Sequence, residues 1–427
     1  MAQPTGEKLE RLMEYYASNY SFNGSVLVAR GGDVLLSKGY GYRDVEKKIK
    51  NTDESIYQIG SNTEQFTAEL ILQLDSKAKL GLNDPISKYL PGYPYGEQIT
   101  IKNLLTHTSG IYDYSKDNSL AGMPVSMEAL VESFKNKPSS FEPGMGVEYC
   151  NSNYILLGCI IEKITHRKYE EQIRAKILNT CGMSHSGFDF ANLKDENKTT
   201  GYFFINKDNY KAAPGTDSSY SYAAGAMYSD VGDLYKWHNA LHGYHLLPKD
   251  WQDIAYAPVK NQYALGWTVE QIMGRKFVEH SGDIAGFSSY EMRQEQDDVF
   301  IILLENNMQP GTSNSAIAKN IVKCLYDKSY KVPGEKKEMF LSLETMNKYV
   351  GEYQFTPDAS LIVSLNGTEL TAASPTIKSI RMIAENRTLF RIEGMDDQVE
   401  FVKGKDGKFN KVILYQQGQR VTGVRVN

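Results

Sequence analysis

The sequence lacks any apolar run long enough to cross a bilayer and any dense block of lysine and arginine. Its longest apolar stretches, residues 154–161 and 299–304, are far shorter than the roughly 20 residues that a transmembrane helix needs. The net charge is −5, and without a basic cluster there is no electrostatic footprint for nucleic acid or for an anionic membrane surface. We therefore expect no transmembrane segment and no nucleic-acid partner.

Cysteine is also scarce, and no two cysteines are spaced as a C-x-x-C pair. Cys150, Cys159, Cys181 and Cys324 are too few for a disulfide scaffold in a chain of 427 residues, and they leave the redox compartment open. Residues 1–11 do not show the basic and then apolar pattern of a signal peptide. We expect either a cytoplasmic protein or a periplasmic or secreted one whose signal peptide has been removed.

The composition is that of a folded chain with more than one domain. Hydrophobic residues make up 41% and charged residues 23%, as in soluble globular proteins, and 427 residues predict two or three compact units. A polar stretch with proline and glycine at residues 330–337 is typical of a linker. We predict a first domain over 1–330, a linker over 331–344 and a second domain over 345–427. The oligomeric state stays open.

The first predicted domain combines an antiparallel sheet with helices. Apolar runs at 24–30 and 33–40, joined by two glycines, predict a β-hairpin. Apolar residues at helical spacing between 64 and 74 predict a helix with one buried face, at the start of a mainly helical region over about 62–230. Strands from both ends of the domain should share one sheet. The later strands are predicted at residues 263–269, 276–280, 288–293 and 298–305.

The second predicted domain is all-β. Its short strand-like runs alternate with turn residues, a spacing that predicts a small antiparallel barrel or sandwich. The runs are residues 351–355, 360–365, 369–372, 377–382, 389–392, 398–403 and 411–415.

Ser61 stands at the start of the predicted helix, and Glu64 follows one turn later on the same face. A Ser-x-x-Glu pair before an apolar run is the capping-box pattern, in which each side chain bonds the other residue's backbone N–H. The same pair also places a hydroxyl nucleophile beside an ionisable group, as acyl-transfer chemistry requires. The spacing alone leaves both interpretations open.

The residues around this pair, Gly60-Ser61-Asn62-Thr63-Glu64-Gln65-Phe66-Thr67, resemble the Ser-x-x-Lys segment of the serine β-lactamase and penicillin-binding protein family. They are most similar to the branch that contains class C β-lactamases, D-peptidases and related esterases. The resemblance covers residues 10 to 310. Further segments agree with the family in the expected order, at residues 80–91, 104–110, 141–144, 149–151, 223–229 and 280–282.

This resemblance implies a fold and a chemistry. The fold is an antiparallel sheet flanked by helices beside a mainly helical region, with the active site between them. The chemistry is acyl transfer without a cofactor, through an acyl-enzyme on a serine. The implied substrates are small amides or esters, such as β-lactams, D-amino-acid peptides or short esters.

The resemblance also assigns roles to individual residues. Ser61 is the expected nucleophile, and Tyr149 is expected to take its proton. The backbone N–H groups of Ser61 and Asp283 are the expected oxyanion hole. The expected substrate-binding residues are Asn151, His280, Gly282 and Asp283.

Glu64 stands where this family carries its lysine. A carboxylate there disfavours both an alkoxide and a phenolate, so it raises the pKa of its hydroxyl neighbours where a lysine would lower them. Three interpretations stay open: an inactivated site that still binds ligands, a site in which Glu64 is a weak general base on Ser61 or on water, and a helix cap in a fold that has lost its site.

Three histidines at helical spacing, His238, His242 and His245, are the one arrangement that suggests a metal site. No flanking glutamate completes an H-E-x-x-H motif, and Gly243 is expected to end the helix. We therefore expect no metal.

Overall fold

A computed structural model describes residues 5–19, 21–120, 122–206, 209–309, 313–332, 338–357, 359–374, 379–393, 397–416 and 419–426. The chain separates into two compact units. One contains Asn23–Gln309 and Ala318–Leu325, and the other contains Met1–Phe22, Pro310–Ile317 and Tyr326–Asn427. The division of the sequence into domains 1–330 and 345–427 stays a prediction, and residues 333–337 of the expected linker lie outside the described residues.

The first unit is built on a six-stranded antiparallel sheet, in which the strands lie in the order Asp33–Tyr40, Gly24–Arg30, Val299–Glu305, Phe287–Gln294, Arg275–Ile284 and Thr268–Ile272. Its first two strands are the predicted hairpin, and the first of them also pairs with the last strand of the unit, so that both ends of the segment meet in one sheet. The strands of this unit are, in chain order, β1 Gly24–Arg30, β2 Asp33–Tyr40, β3 Tyr42–Asp44, β4 Ile49–Lys50, β5 Tyr57–Gln58, β6 Tyr202–Ile205, β7 Tyr210–Ala212, β8 Tyr228–Ser229, β9 Thr268–Ile272, β10 Arg275–Ile284, β11 Phe287–Gln294 and β12 Val299–Glu305.

The strand predicted at residues 263–269 is wrong in its position. Strand β9 begins only at Thr268, because the backbone before it is not extended: Gln262 and Gly266 have φ angles of +66° and +76°. Tyr263, which the prediction placed in the strand, instead lies in a loop beside a large cleft.

Most helices of the first unit lie between β5 and β9, where the sequence predicted a helical region. The helix Thr63–Ser76 (α2) is buried on nearly every side, since each residue from Thr63 to Gln73 is buried. Within the described ranges, no helix is both long and apolar enough to cross a membrane. A π-helical segment, Arg174–Leu178, joins the helices Tyr169–Ile173 and Asn179–Cys181. The α-helices are α1 Thr5–Asn19, α2 Thr63–Ser76, α3 Ile101–Leu105, α4 Met127–Lys135, α5 Asn151–Thr165, α6 Tyr169–Ile173, α7 Asn179–Cys181, α8 Ser218–Gly225, α9 Val231–His242, α10 Lys249–Ala255, α11 Asn314–Tyr326 and α12 Leu343–Asn347.

The C-terminal strands form a closed antiparallel barrel in which each strand pairs with the next and the last pairs with the first. The interior is filled by packed aromatic rings, with Tyr349 against Phe401 and Phe409. The predicted barrel or sandwich is therefore a barrel. Its strands are β13 Gly351–Thr356, β14 Ala359–Asn366, β15 Glu369–Ala373, β16 Ile380–Ala384, β17 Leu389–Ile392, β18 Gln398–Lys403, β19 Phe409–Gln416 and β20 Gln419–Arg425.

Two details of the barrel differ from the prediction. The strand expected at 377–382 is observed at Ile380–Ala384, and residues 377–378 lie outside the described part of the chain. The final strand, Gln419–Arg425, was not predicted, because its polar sequence with a central glycine shows little apolar alternation.

Candidate active site

A cleft of about 710 Å³ opens in the first unit, and the predicted site residues converge on it. Six of the seven line the cleft, and Glu64 lies behind them, fully buried in α2. The lining includes Ser61, Tyr149, Asn151, His280, Gly282 and Asp283. The chain thus brings together residues that are more than 200 positions apart, while their individual roles stay predictions.

Ser61 sits on a tight turn between β5 and α2. The turn is a 3₁₀ segment, Gly60–Asn62, and Gly60 adopts φ +52°, a left-handed conformation that favours glycine. A methyl group on Gly60 would lie only 2.9 Å from the backbone nitrogen of Asp283. The turn therefore packs directly on β10, where the predicted second oxyanion donor lies.

Gly282 permits this close packing from the strand side. A methyl group there would lie 2.1 Å from the carbonyl oxygen of Ile59 and 2.8 Å from the nitrogen of Asn62. Two hydrogen bonds stabilise the same contact. The Asn62 side chain donates to the Ser289 hydroxyl at 2.6 Å, and that hydroxyl donates to the carbonyl oxygen of Ile59 at 2.7 Å.

Replacing Gly282 by alanine is expected to destabilise the protein by about 1–3 kcal/mol, because the new methyl group must push the Ser61 turn off the strand. Urea unfolding measures this change. Gly215→Ala is the matched control, since no atom lies within 4 Å of a methyl group there. Equal stability of Gly282→Ala and the control would contradict the packing described.

Glu64 does not form the capping box that its spacing allowed. The N-cap of α2 is Asn62, and its side chain makes no capping hydrogen bond. The Oε1 atom of Glu64 accepts a hydrogen bond from the Tyr149 hydroxyl at 2.9 Å. Its Oε2 atom lies 3.3 Å from His107 Nε2 and 3.4 Å from His280 Nε2, long distances for hydrogen bonds but close for charges. The carboxylate is therefore held by a phenol and two imidazoles.

The partners of the two imidazoles indicate where their protons lie. His107 Nδ1 accepts from the backbone N–H of Cys150 at 3.1 Å, so the His107 proton is on Nε2, facing Glu64. His280 Nδ1 lies 2.7 Å from the carbonyl oxygen of Ser281, which can only accept. Since the other His280 nitrogen faces a carboxylate, this geometry favours a doubly protonated His280 beside an ionised Glu64.

The pKa shifts agree with this pair. Burial alone would raise the pKa of Glu64, but His107 and His280 outweigh burial and hold that pKa below its ordinary value. Burial alone would lower the pKa of His280, but the hydrogen bond and negative charge of Glu64 raise it. When either partner of such a buried ion pair loses its charge, the folded protein is destabilised, because the other charge stays buried without a partner.

This pair predicts a pH optimum of stability. Because the pKa of His280 is raised in the folded protein, charged His280 contributes fully to the free energy of unfolding below the ordinary pKa of 6.5. This contribution is lost as the pH rises through the folded-state pKa. Because the pKa of Glu64 is lowered in the folded protein, ionised Glu64 contributes fully to the free energy of unfolding above the ordinary pKa of 4.5. This contribution is lost as the pH falls through the folded-state pKa.

Glu64→Gln should therefore destabilise the protein by about 3–5 kcal/mol between pH 4.5 and pH 6.5, and by less at higher pH. Urea unfolding of both proteins at several pH values tests this; a pH-independent difference would contradict it.

Tyr149 is kept in its protonated form. Although 37% of the residue is exposed, its hydroxyl points inward, and burial together with the charge of Glu64 raises its pKa well above the ordinary value. The neighbouring Ser61 hydroxyl opposes this rise only in part. The resting site therefore contains a phenol, which donates to Glu64 Oε1 and neighbours Ser61.

The side-chain amide of Asn151 is oriented by Asp113, a buried residue that was not among the predicted site residues. The Asn151 Nδ2 group donates toward both Asp113 oxygens, at 3.3 and 3.4 Å, and toward Ser115 Oγ at 3.2 Å. The opposite amide orientation would place an oxygen against a carboxylate. The amide oxygen, which lies 3.5 Å from the Tyr149 hydroxyl, is thus directed to the Tyr149 side.

His107 is the other residue missed. It lies in the 104–110 segment that resembles the family, but no spacing in the sequence connects it with Glu64, 43 positions earlier. Its left-handed backbone, with φ +52°, and its complete burial were the signals of a constrained position, and both are visible only in the structure.

Comparison with known proteins identifies the fold. The family model described as Beta-lactamase matches residues 9–323. This chain belongs to the Beta-lactamase family. Members are typically serine hydrolases, and the sheet, the helical region and the cleft described above are those of the β-lactamase and transpeptidase fold.

Relatives within the family include penicillin-binding proteins. Penicillin-binding protein 4* of Bacillus subtilis (strain 168) is 27% identical over 452 aligned residues, which cover 100% of each chain. The putative penicillin-binding protein PbpX of the same strain is 31% identical over 307 residues, covering 71% of this chain and 76% of PbpX. The solved structure of an octameric penicillin-binding protein homologue from Pyrococcus abyssi is similar with a TM-score of 0.70 and 27% identity, covering 97% of this chain and 99% of that one.

Proposed function

We propose that this chain is a serine hydrolase of small esters and amides, in which Ser61 forms an acyl-enzyme and Glu64 receives the serine proton through Tyr149. The observation that carries the proposal is the hydrogen bond from the Tyr149 hydroxyl to Glu64 Oε1 at 2.9 Å, beside the Ser61 hydroxyl. It places a carboxylate acceptor on the far side of a phenol that neighbours the nucleophile.

The proposed acylation step moves two protons along one relay. The Ser61 oxygen bonds to the substrate carbonyl carbon while its proton moves to the Tyr149 oxygen, and the Tyr149 proton moves to Glu64. The backbone N–H groups of Ser61 and Asp283 stabilise the oxyanion, a contribution of about 3 kcal/mol for each donor. The proton then returns through Tyr149 to the leaving alcohol or amine as the carbonyl–leaving group bond breaks. Water repeats the sequence to release the acid.

The electrostatics make this relay weak. The lowered pKa of Glu64 makes it a poor proton acceptor, and the raised pKa of Tyr149 excludes a resting phenolate. We therefore propose that substrates with good leaving groups, such as β-lactams and activated short esters, react faster than unstrained peptides.

A second candidate is a ligand-binding homologue that no longer forms an acyl-enzyme. The same two pKa shifts favour it, because neither an alkoxide at Ser61 nor a phenolate at Tyr149 is stabilised by a nearby lysine. The candidates differ in one property, which is whether Glu64 assists the reaction of Ser61 or blocks it.

Release of p-nitrophenol from p-nitrophenyl acetate by the unaltered chain, Ser61→Ala and Glu64→Lys separates the two candidates. The proposal expects turnover by the unaltered chain that Ser61→Ala abolishes. No turnover by the unaltered chain together with turnover by Glu64→Lys would instead establish the ligand-binding homologue. Circular dichroism shows whether each variant is folded.

A further inference from the structure

Thr63 follows the turn that carries Ser61 and was not among the predicted site residues. It is the first residue of α2 and is completely buried. Its hydroxyl donates a hydrogen bond to the carbonyl oxygen of Gly60 at 2.8 Å, and its backbone N–H donates to the same oxygen. One carbonyl group of the turn is therefore bound by two donors of Thr63.

The Thr63 hydroxyl is itself held by a second segment of the chain. The backbone N–H of Met227 donates to Thr63 Oγ1 at 3.2 Å, and the Thr63 proton points at Gly60, because a carbonyl oxygen can only accept. The backbone N–H of Ile59 in turn donates to the carbonyl oxygen of Met227 at 3.0 Å. Thr63 therefore connects the turn to the segment that leads into β8.

The Gly60 carbonyl belongs to the same peptide unit as the Ser61 N–H, the first of the two proposed oxyanion donors. A trans peptide unit is planar, so a fixed C=O direction also fixes the N–H, which points the opposite way. Gly60 is left-handed with φ +52°, and Ile59 before it has φ −100° and ψ 0°. A regular helix does not set the direction of this N–H, whereas the bond from Thr63 opposes its rotation.

We propose that Thr63 is a positioning residue of the oxyanion hole: its hydroxyl holds the Gly60–Ser61 peptide unit so that the Ser61 N–H stays directed at the substrate carbonyl. Thr63 acts through this peptide unit, since it is not among the described residues that line the cleft. This inference rests on the proposed function for its reaction, but the hold on the peptide unit can be measured without catalysis.

A pair of esters that differ in one atom tests the role in catalysis. In O-p-nitrophenyl thionoacetate a sulfur, which accepts hydrogen bonds weakly, replaces the carbonyl oxygen of p-nitrophenyl acetate. We expect Thr63→Val to lower kcat/KM for the oxygen ester by about 10–100-fold, because a small misplacement of a catalytic group is costly. The thiono ester should lose less, so that the ratio of the two kcat/KM values falls about tenfold. A loss of folded protein would lower both values equally.

Two further variants assign this effect to the Thr63 hydroxyl. Thr63→Ser keeps the hydroxyl and should restore most of the ratio. Thr67→Val is the matched control, because Thr67 is also a buried threonine of α2 whose hydroxyl donates to a backbone carbonyl, that of Ala223 at 2.7 Å. It should leave the ratio unchanged. An unchanged ratio in Thr63→Val, the same fall in Thr67→Val, or no recovery in Thr63→Ser would overturn the proposal.

The peptide unit can also be observed directly. The sequence contains two Gly-Ser pairs, Gly24-Ser25 and Gly60-Ser61, so protein labelled with carbonyl-¹³C glycine and ¹⁵N serine gives two amide–carbonyl correlations. Ser61→Ala removes the second and thereby assigns it. We expect this resonance to move in Thr63→Val and to stay in place in Thr67→Val, and an unmoved resonance in Thr63→Val would overturn the proposal. If Thr63→Val does not fold, Thr63→Ala, which also lacks the hydroxyl, takes its place in both experiments.

These results remain distinct from those for the proposed function. If the unaltered chain hydrolyses neither ester while the Gly60–Ser61 resonance moves in Thr63→Val alone, the acyl-enzyme is contradicted and the hold on the peptide unit is supported. Hydrolysis that Ser61→Ala abolishes, with an ester ratio and a resonance that Thr63→Val leaves unchanged, would do the reverse.

Discussion

Replacement of Glu64 by glutamine is expected to slow acylation of Ser61 by about 10²–10⁴-fold, the range that general bases contribute. Glutamine keeps the size of the side chain and can still hydrogen-bond Tyr149, but it cannot accept a proton. The initial release of p-nitrophenol from p-nitrophenyl acetate measures acylation directly. The pH-dependent loss of stability predicted for the same variant requires that the assay be run where unfolding curves show the variant to be folded.

Glu69→Gln is the matched control for this experiment. Glu69 is also a buried carboxylate of α2, but it bonds Gln73 and burial raises its pKa to about 7. Its loss changes the buried charge of the helix without touching Tyr149, so acylation should continue at an unchanged rate. If Glu64→Gln reacts as fast as this control, Glu64 is not the acceptor.

Removal of the Tyr149 hydroxyl is expected to have an effect of similar size. Tyr149→Phe removes the hydroxyl that donates to Glu64 beside Ser61, and we expect acylation to fall by about 10²–10⁴-fold. Because a phenylalanine ring fills the same space, the fold should persist. The measurement is again the initial release of p-nitrophenol.

Tyr263→Phe separates the relay from a general effect of tyrosines in the cleft. Tyr263 lines the same cleft, packs edge-on against His107 with ring centroids 4.7 Å apart, and has no hydrogen bond to Glu64 among the described contacts. We expect its loss to leave acylation within a few-fold of the unaltered rate. Comparable losses in both tyrosine variants would contradict a specific role for Tyr149.

Features with a local cause were predictable from the sequence. The hairpin of β1 and β2 follows from two apolar runs and a glycine turn, and α2 follows from apolar residues at helical spacing. The shared face of Ser61 and Glu64 follows from the same helical period. The barrel strands were recognised where apolar residues alternate, and β20 was missed where they do not.

Features that depend on residues meeting across the fold were not predictable from spacing. The resemblance placed Tyr149 and His280 in the cleft, but it did not indicate that His280 would turn both nitrogens toward protein groups. His107 and Asp113 reach their partners through loops whose backbone conformation has no sequence period. Their contacts set the charge of Glu64 and the orientation of Asn151, and so they determine what the site can do chemically.

The proposed function requires Ser61 to be a reactive nucleophile in a chain that has Glu64 one turn away. Intact mass and peptide mapping after incubation with a fluorophosphonate test this most directly, with Ser61→Ala beside the unaltered chain. We predict one phosphonyl group on the peptide that contains Ser61, and none on Ser61→Ala. A folded, unlabelled chain, or a label on any other residue, would contradict the account.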